Sequence, residues 1–427
     1  MTKKIITEPS RDLPVVGNFD VVVAGGGPAG VAAAVAAARA GARTALLEAQ
    51  GCLGGIWTSG LMPWAIDYRD KPGLMAEIDS CLRSKQVPVS GAPADSAYDL
   101  EQAKYRLEQL CLQAGVHLRL HTRVCSALLE NRDITAVATE SKSGREAWGG
   151  RIFIDSTGDG ELAKHAGCGF EYGRPDIPGE AQPMSLVGLL GGLKLAEIKE
   201  YVNHFSDSGW ANPKDALCRI LRDNGGSPSY TKPTLFHVYD DLFLLMATHQ
   251  HGLGGIDAEA LTRATIEGRE EVWQLIEALR RHGGPWQNTL LIATPAHIGI
   301  REGRRVHGLF TLTREDLENG ARFDDAVCRV NFCVDIHSTK AGCPGGLGNG
   351  GVQARPYDIP MRSLIARDVD NLLLAGRCIS GDFFAHASYR VTGNAVPMGE
   401  AAGRVGAQAA LRKVSPARLD CRESLQQ

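Results

Sequence analysis

The chain has 427 residues, of which 22% are charged and 44% hydrophobic, and its net charge is −3. That length exceeds the usual size of one compact domain, so two domains are expected, each large enough to bury a core. The near-balanced charge removes the electrostatic case for nucleic acid or an anionic membrane, and leaves a small-molecule substrate as the expected partner.

Eleven cysteines lie scattered from Cys52 to Cys421, with no CxxC pair and no zinc-ligand spacing. They read as the thiols of a reduced, cytoplasmic chain. The first residues, MTKKIITEPSRDLP, carry prolines and charges where a signal peptide needs an apolar run. Val21 to Ala38 is free of charge for about eighteen residues, near the length that crosses a bilayer. Its centre, GGGPAG, would break a spanning helix, and the same residues suit a strand, a tight turn and a small-residue helix. No membrane partner is expected.

The first element is a strand, Phe19 to Ala24, whose apolar run suits burial between parallel neighbours. It leads into Gly25-x-Gly27-x-x-Gly30, with Pro28 and Ala29 opening an alanine-rich helix, and a second strand, Thr44 to Leu47, stops at Glu48 and Ala49. This order is the dinucleotide fingerprint in its context. Gly25 permits the turn, Gly27 lets backbone approach a pyrophosphate, and Gly30 lets the helix press on the strand. The helix start offers unpaired N–H groups and a positive dipole end to phosphate. Glu48, about eighteen residues beyond Gly30, is placed to accept hydrogen bonds from an adenosine ribose. The fingerprint alone fits NAD and FAD equally.

AQGCLGGIWTSG follows, and its Gly54-Gly55 pair lets backbone pass close to a bound group. A strand from Arg151 to Asp155 then runs into Thr157-Gly158-Asp159-Gly160 and a helix. From Gly169 to about Ala354 the dinucleotide pattern gives way to two amphipathic helices, in NPKDALCRILRDNG and DAEALTRATIEGREEVWQLIEALRRHGG, the second capped by Asp257. Strands are expected in TLFHVYDDLFLLMATH and NTLLIATPAHIGI. In REGRRVHG, Arg301, Arg304 and Arg305 suit either a substrate anion or, with Glu302, a salt-bridged hinge. His337, two residues after Asp335, stands among small residues that suit either approach to a cofactor or a structural histidine. His249 and His251 have no third ligand nearby in sequence, so no metal is expected. A last buried strand, Asn371 to Ala375, stops at Gly376, and a final helix is expected from Gly399 to Leu411.

Taken together, VVVAGGGPAG, LLEAQGCLGG, IDSTGDGELA, HIGIREGRRVHGLFTLTREDL, DIPMRSLI, NLLLAGRCIS and GEAAG resemble the FAD-dependent oxidoreductases of the glutathione-reductase-like superfamily, and most closely the family called FAD-dependent oxidoreductase. The resemblance implies FAD as cofactor and an α/β fold. A Rossmann-like FAD-binding domain would be assembled from both chain ends, 16–170 and 355–415, with an α+β substrate domain, 171–354, inserted between them. It implies cofactor contacts at Gly25, Gly27, Pro28, Ala29, Gly30, Glu48, Ala49, Gly54, Gly55, Thr157, Gly158, Asp159, Gly376, Arg377, Met398, Gly399 and Glu400. The superfamily's strand-end motif often carries an aspartate for the ribityl chain; here Arg377 follows Gly376, so Asp382 or backbone is expected to serve. Disulfide reductases of the superfamily carry two nearby cysteines, whereas Cys52 is followed by Trp57, which argues against a dithiol mechanism.

In such flavoproteins the last helix points its N-terminus at the pyrimidine edge of the isoalloxazine. Gly399 and Glu400 are therefore expected there, where the dipole contributes about 0.3 to 1 kcal/mol to the reduced ring. His386 and Arg390 then fall beside the ring, where substrate must sit. The implied reaction takes a hydride to flavin N5 from a small polar substrate at a C–H next to O or N. His386 or His337 removes the heteroatom proton, since an unperturbed histidine titrates near neutrality, and Arg390 either holds a substrate carboxylate or oxyanion or forms a salt bridge to a flavin phosphate or a carboxylate. No second GxGxxG is present, so electrons are expected to leave to oxygen, a quinone or a carrier protein. Reduction of a C=C bond, or an FAD-carrying electron-transfer subunit with no substrate of its own, are the competing readings. A homo-oligomer is compatible with each.

Overall fold

The protein is described by a computed structural model for residues 5–83, 97–177, 180–203, 211–239, 241–340 and 347–422. The first strand, Val15–Ala24, lies at the centre of its sheet. Thr44–Leu47 pairs with it on one side and Gly144–Asp155 on the other, both parallel. His117–Arg119 extends the sheet beyond Thr44–Leu47, and Leu372–Leu374 pairs in parallel with the end of Gly144–Asp155. The apolar runs explain the arrangement: Val21 to Ala24 and Leu372 to Leu374 have no accessible surface, as strands covered on both faces require. The two ends of the chain thus share one sheet, as the family resemblance implies.

The strand Gly144–Asp155 is long enough to serve two partners. Its first half pairs antiparallel with Asp133–Ser141, which in turn pairs with Arg123–Glu130, so a three-stranded meander flares from the parallel sheet. Over the sheet lie the helices Pro28–Arg39 and Thr392–Arg412 in close contact. A Cβ on Gly399 would collide with the Ala29 carbonyl and one on Gly403 with the Ala33 carbonyl, so glycine at both positions permits the approach.

A second core covers the open side of this domain. Four antiparallel strands run in the order Leu290–Ala293, Gly188–Gly191, Leu242–Met246, Thr234–Tyr239. The helices Asn212–Asp223 and Ala258–His282 back them through Leu190, Phe243, Val272, Leu275 and Leu279. Asp257 caps the longer helix by accepting from the Ala260 N–H at 2.8 Å. Packing divides the expected insert: the second core runs from Met184 to Ile300, whereas Val306, Leu312, Leu317, Val330 and Val352 pack with the first. Among the described residues no helix is long and apolar enough to cross a membrane.

Candidate active site

Three parallel strands end on one cavity of about 560 Å³. Val15–Ala24 runs into Gly25, Gly144–Asp155 into Ser156 to Gly158, and Leu372–Leu374 into Ala375 and Gly376. Gly25 has φ of +95°, and a Cβ there would sit 2.6 Å from the Ser156 carbonyl oxygen. At Gly30 a Cβ would collide with the Gly25 carbonyl, which is the close helix-to-strand contact that the third glycine allows. Gly27 is different. Its φ of −68° would admit a side chain, and a Cβ would meet nothing within 4 Å, so the room beside it belongs to the cavity and not to protein packing. The following helix has no side-chain cap and no acidic residue in its first turn, which leaves those N–H groups available to an anion.

Glu48 closes this end of the cavity. One carboxylate oxygen accepts from the Gly26 N–H at 2.5 Å and the other from Gln50 at 2.6 Å, and each keeps a lone pair for a further donor. Burial pushes its carboxyl up, while those backbone hydrogen bonds hold it down. Pro28, Ala29, Ala49, Gly55, Thr157, Gly158, Asp159, Gly376 and Arg377 line the same cavity. Arg377 donates to Asp159 at 2.7 Å across its wall. Gly54 stands behind it, donating to the Gly26 carbonyl at 2.8 Å and so holding the Gly54-Gly55 loop against the fingerprint turn.

The C-terminal segment departs from expectation. Its helix starts at Thr392, nearly two turns before Gly399. Pro397 lies inside the helix, where it removes the donor that the Gly393 carbonyl would otherwise receive. Met398, Gly399 and Glu400 are therefore carried off the cavity. Met398 is core, Gly399 packs on Ala29, and Glu400 accepts from the Leu74 N–H at 2.8 Å and from Arg404. Val391, Thr392 and Ala395, at the true helix start, meet the cavity instead. Asp382 is also absent from the wall: it caps the helix Phe383–Tyr389 through Ala385 and accepts from the Arg314 N–H at 2.6 Å. His386, inside that helix, has no accessible surface and does not line the cavity. Neither ring nitrogen has a hydrogen-bond partner among the described residues.

Past the nucleotide turns the cavity continues between two surfaces. The first domain supplies Ile56, Met62, Trp64, Ile66 and the Val391-Thr392 helix start, and the second sheet supplies Ser185, Val187 and Met246 with the segment His297 to Arg301. Comparison with known proteins fits this geometry: the model of a family described as FAD dependent oxidoreductase matches residues 20–427. The chain belongs to the FAD-dependent oxidoreductase family. A 45-residue stretch is 51% identical to dihydrolipoyl dehydrogenase of Trypanosoma brucei brucei, a match that spans 10% of this chain and 9% of that enzyme. Among solved structures, a geranylgeranyl bacteriochlorophyll reductase-like protein from Thermoplasma acidophilum is similar with a TM-score of 0.50 at 15% identity, over 96% of this chain and 82% of that one. A myxobacterial FAD-dependent chondrochloren halogenase gives 0.46 at 14% identity, over 96% and 78%. At such identities the reductase-like protein shares the fold alone.

This FAD-dependent oxidoreductase buries a polar cluster behind the far wall. Arg390 lines the cavity and donates to Asp335, to its backbone oxygen at 3.0 Å and its carboxylate at 3.1 Å. His337 does not reach the cavity. Its Nε2 lies 3.2 Å from the Asp335 carboxylate and its Nδ1 3.1 Å from His249 Nε2. Burial opposes the charge on Asp335, but the His337 hydrogen bond and the guanidiniums of Arg390 and Arg301 outweigh it and hold the carboxyl below the ordinary range. Burial and then Arg301 push His337 down to about 3 and His249 lower still, so both rings are neutral. In that state the His337 Nε2–H donates to Asp335, and Nδ1 accepts from His249.

One cavity residue was not singled out in the sequence. His297, the cavity-lining histidine among the described residues, is held neutral by burial, with Asp159 and Arg377 pulling in opposite directions. It sits in the HIGIREGRR segment, and the segment was the available signal. Arg301, Arg304 and Arg305 part company. Arg305 pairs with Glu302 inside the protein at 2.6 Å, as the hinge reading has it, while Arg301 and Arg304 line the cavity.

Proposed function

We propose that this FAD-dependent oxidoreductase oxidises a small polar substrate at a C–H next to oxygen or nitrogen, in the slot between the Thr392 helix start and the second sheet. The observation that carries this reading is the continuity of the cavity from the glycine turns to a partly apolar chamber that also holds a neutral histidine and cationic side chains. The residues fit FAD. Gly25, Gly27 and the uncapped start of Pro28–Arg39 would receive the pyrophosphate, Glu48 the adenosine ribose, and Gly376 with Arg377 the chain leading to the ring. Bound there, FAD supplies the two-electron acceptor.

The chain's own groups do the rest. Trp64, Ile66 and Met62 against Val187 and Met246 exclude water and orient the substrate. His297 takes the heteroatom proton on a ring nitrogen, a task that its lowered pKa leaves open at neutral pH. Because the neutral ring is the base, the rate is lost as pH falls through that lowered pKa, so the acid limb lies below about 6.5. The test is anaerobic mixing with small alcohols, amines and hydroxy or amino acids, followed by absorbance near about 450 nm. A member of the panel is expected to bleach the protein, and His297→Gln to keep the colour while slowing bleaching roughly 10²- to 10⁴-fold. An unchanged rate in the variant removes His297 from the reaction. A protein that only reacts in the opposite direction, with an electron-poor C=C compound reoxidising it, overturns the oxidative reading.

A further inference from the structure

We infer that the substrate of this enzyme carries a carboxylate and that Arg301 receives it. The inference deepens the proposed function and rests on it for the position of the reacting carbon. Arg301 lines the chamber, and its Nη1 donates to the Pro183 carbonyl at 2.7 Å and to Ser185 Oγ at 2.9 Å. Both acceptors are neutral. They fix the guanidinium in place without balancing its charge, and among the described residues Arg301 makes no ion pair.

Among the surrounding charges, Asp335 attracts Arg301 but is shared with Arg390. Asp335 is engaged by Arg390 and His337, and Glu302 by Arg305. His337, His249 and His251 are all driven toward their neutral forms by burial first. Arg301, Arg390 and Asp335 together therefore leave one positive charge at the chamber wall. Burial and the neighbouring Arg390 press on it, pushing Arg301 down to about 10. A desolvated cation of this kind is costly to leave unpaired and is relieved by an anion.

Among the described residues Arg304 is the other cavity-lining arginine without an ion pair, and its partner separates the two. It donates to the Asp159 carbonyl at 2.9 Å and is tied to the Thr157 to Asp159 turn. Arg301 is held instead beside Ser185, and Trp64, Val187 and Met246 line the same cavity. A planar guanidinium held at one edge presents its remaining N–H groups as a fork that matches a carboxylate. The ligand that complements this wall is a small monocarboxylate with an apolar body.

The test titrates the flavin-loaded protein with benzoate and with benzamide, its uncharged isostere, reading the perturbation of the flavin spectrum. Inorganic phosphate is the competitor that asks whether any anion suffices. Benzoate is expected to bind roughly ten- to a hundredfold more tightly than benzamide. Arg301→Met, with its flavin content measured, is expected to bring the two together. Equal binding in the wild type, no binding of either, benzoate binding that survives Arg301→Met, or displacement by equimolar phosphate each overturns the assignment. The wild-type comparison stands even if the variant fails to fold. If benzoate binds through Arg301 while no C–H donor bleaches the protein, the carboxylate site holds and the oxidative direction falls. If neutral alcohols or amines bleach as fast as their carboxylate-bearing counterparts, the direction holds and the site falls.

Discussion

His386 shows how one residue's surroundings overrule its chemistry. In sequence it is a histidine just upstream of a cofactor-facing helix, while in the fold it is a ring without accessible surface and without a partner at either nitrogen among the described residues. Burial first, then Arg305 and Arg390, hold its pKa well below the ordinary value. The unfolded chain therefore binds a proton that the folded chain refuses, so stability contributed at higher pH is lost as pH falls below about 6.5. Replacing the ring with a hydrocarbon of similar bulk removes that penalty. At pH 5.5, His386→Leu is expected to gain about 1.4 kcal/mol relative to its effect at pH 8, read from urea midpoints, with colour and bleaching rate unchanged. Loss of bleaching with colour retained would return His386 to the reaction. His297 and Arg301 illustrate the converse: nothing in their local sequence separates them from Arg305 or His337, because lining a cavity is a property of tertiary contacts.

Elements were legible to the extent that their signals were local. The strand Val15–Ala24, the glycine turn and Pro28–Arg39 carry apolar runs and punctuation that agree with one another, and the structure follows them. The C-terminal helix does not: its expected start at Gly399 misses the turns from Thr392, which tertiary contacts hold in place. Gly393 donates to the Ile66 carbonyl at 2.9 Å, anchoring the first turn, and Gly399 and Gly403 seat the middle against Ala29 and Ala33. That seating holds Thr392 at the cavity. Gly403→Leu would drive a side chain into the Ala33 carbonyl, at a cost of about 1 to 3 kcal/mol or more. It is expected to lower the melting temperature and the flavin content together. An unaltered melting curve would mean that the two helices do not meet as described.

At the scale of the whole molecule, the chain ends build one nucleotide domain and the middle builds a roof over it. Pairing of Leu372–Leu374 with Gly144–Asp155 was foreseeable only as an expectation from resemblance, since no local pattern specifies which strand a distant segment joins. The division of the insert was not foreseeable, because Val306 to Val352 return to the first core through contacts that composition does not record. The arrangement brings sequence segments far apart to the wall of a single cavity.

Gly27 gives that cradle its most direct test, because the space beside it serves no protein atom. The measurement is the flavin content of purified wild type and Gly27→Val, with circular dichroism to establish that both are folded. Wild type is expected to carry about one FAD per chain, and the variant to fold and emerge colourless, its branched side chain occupying the room of the pyrophosphate. A folded Gly27→Val that retains its full complement of FAD would contradict the placement of the cofactor in this cavity.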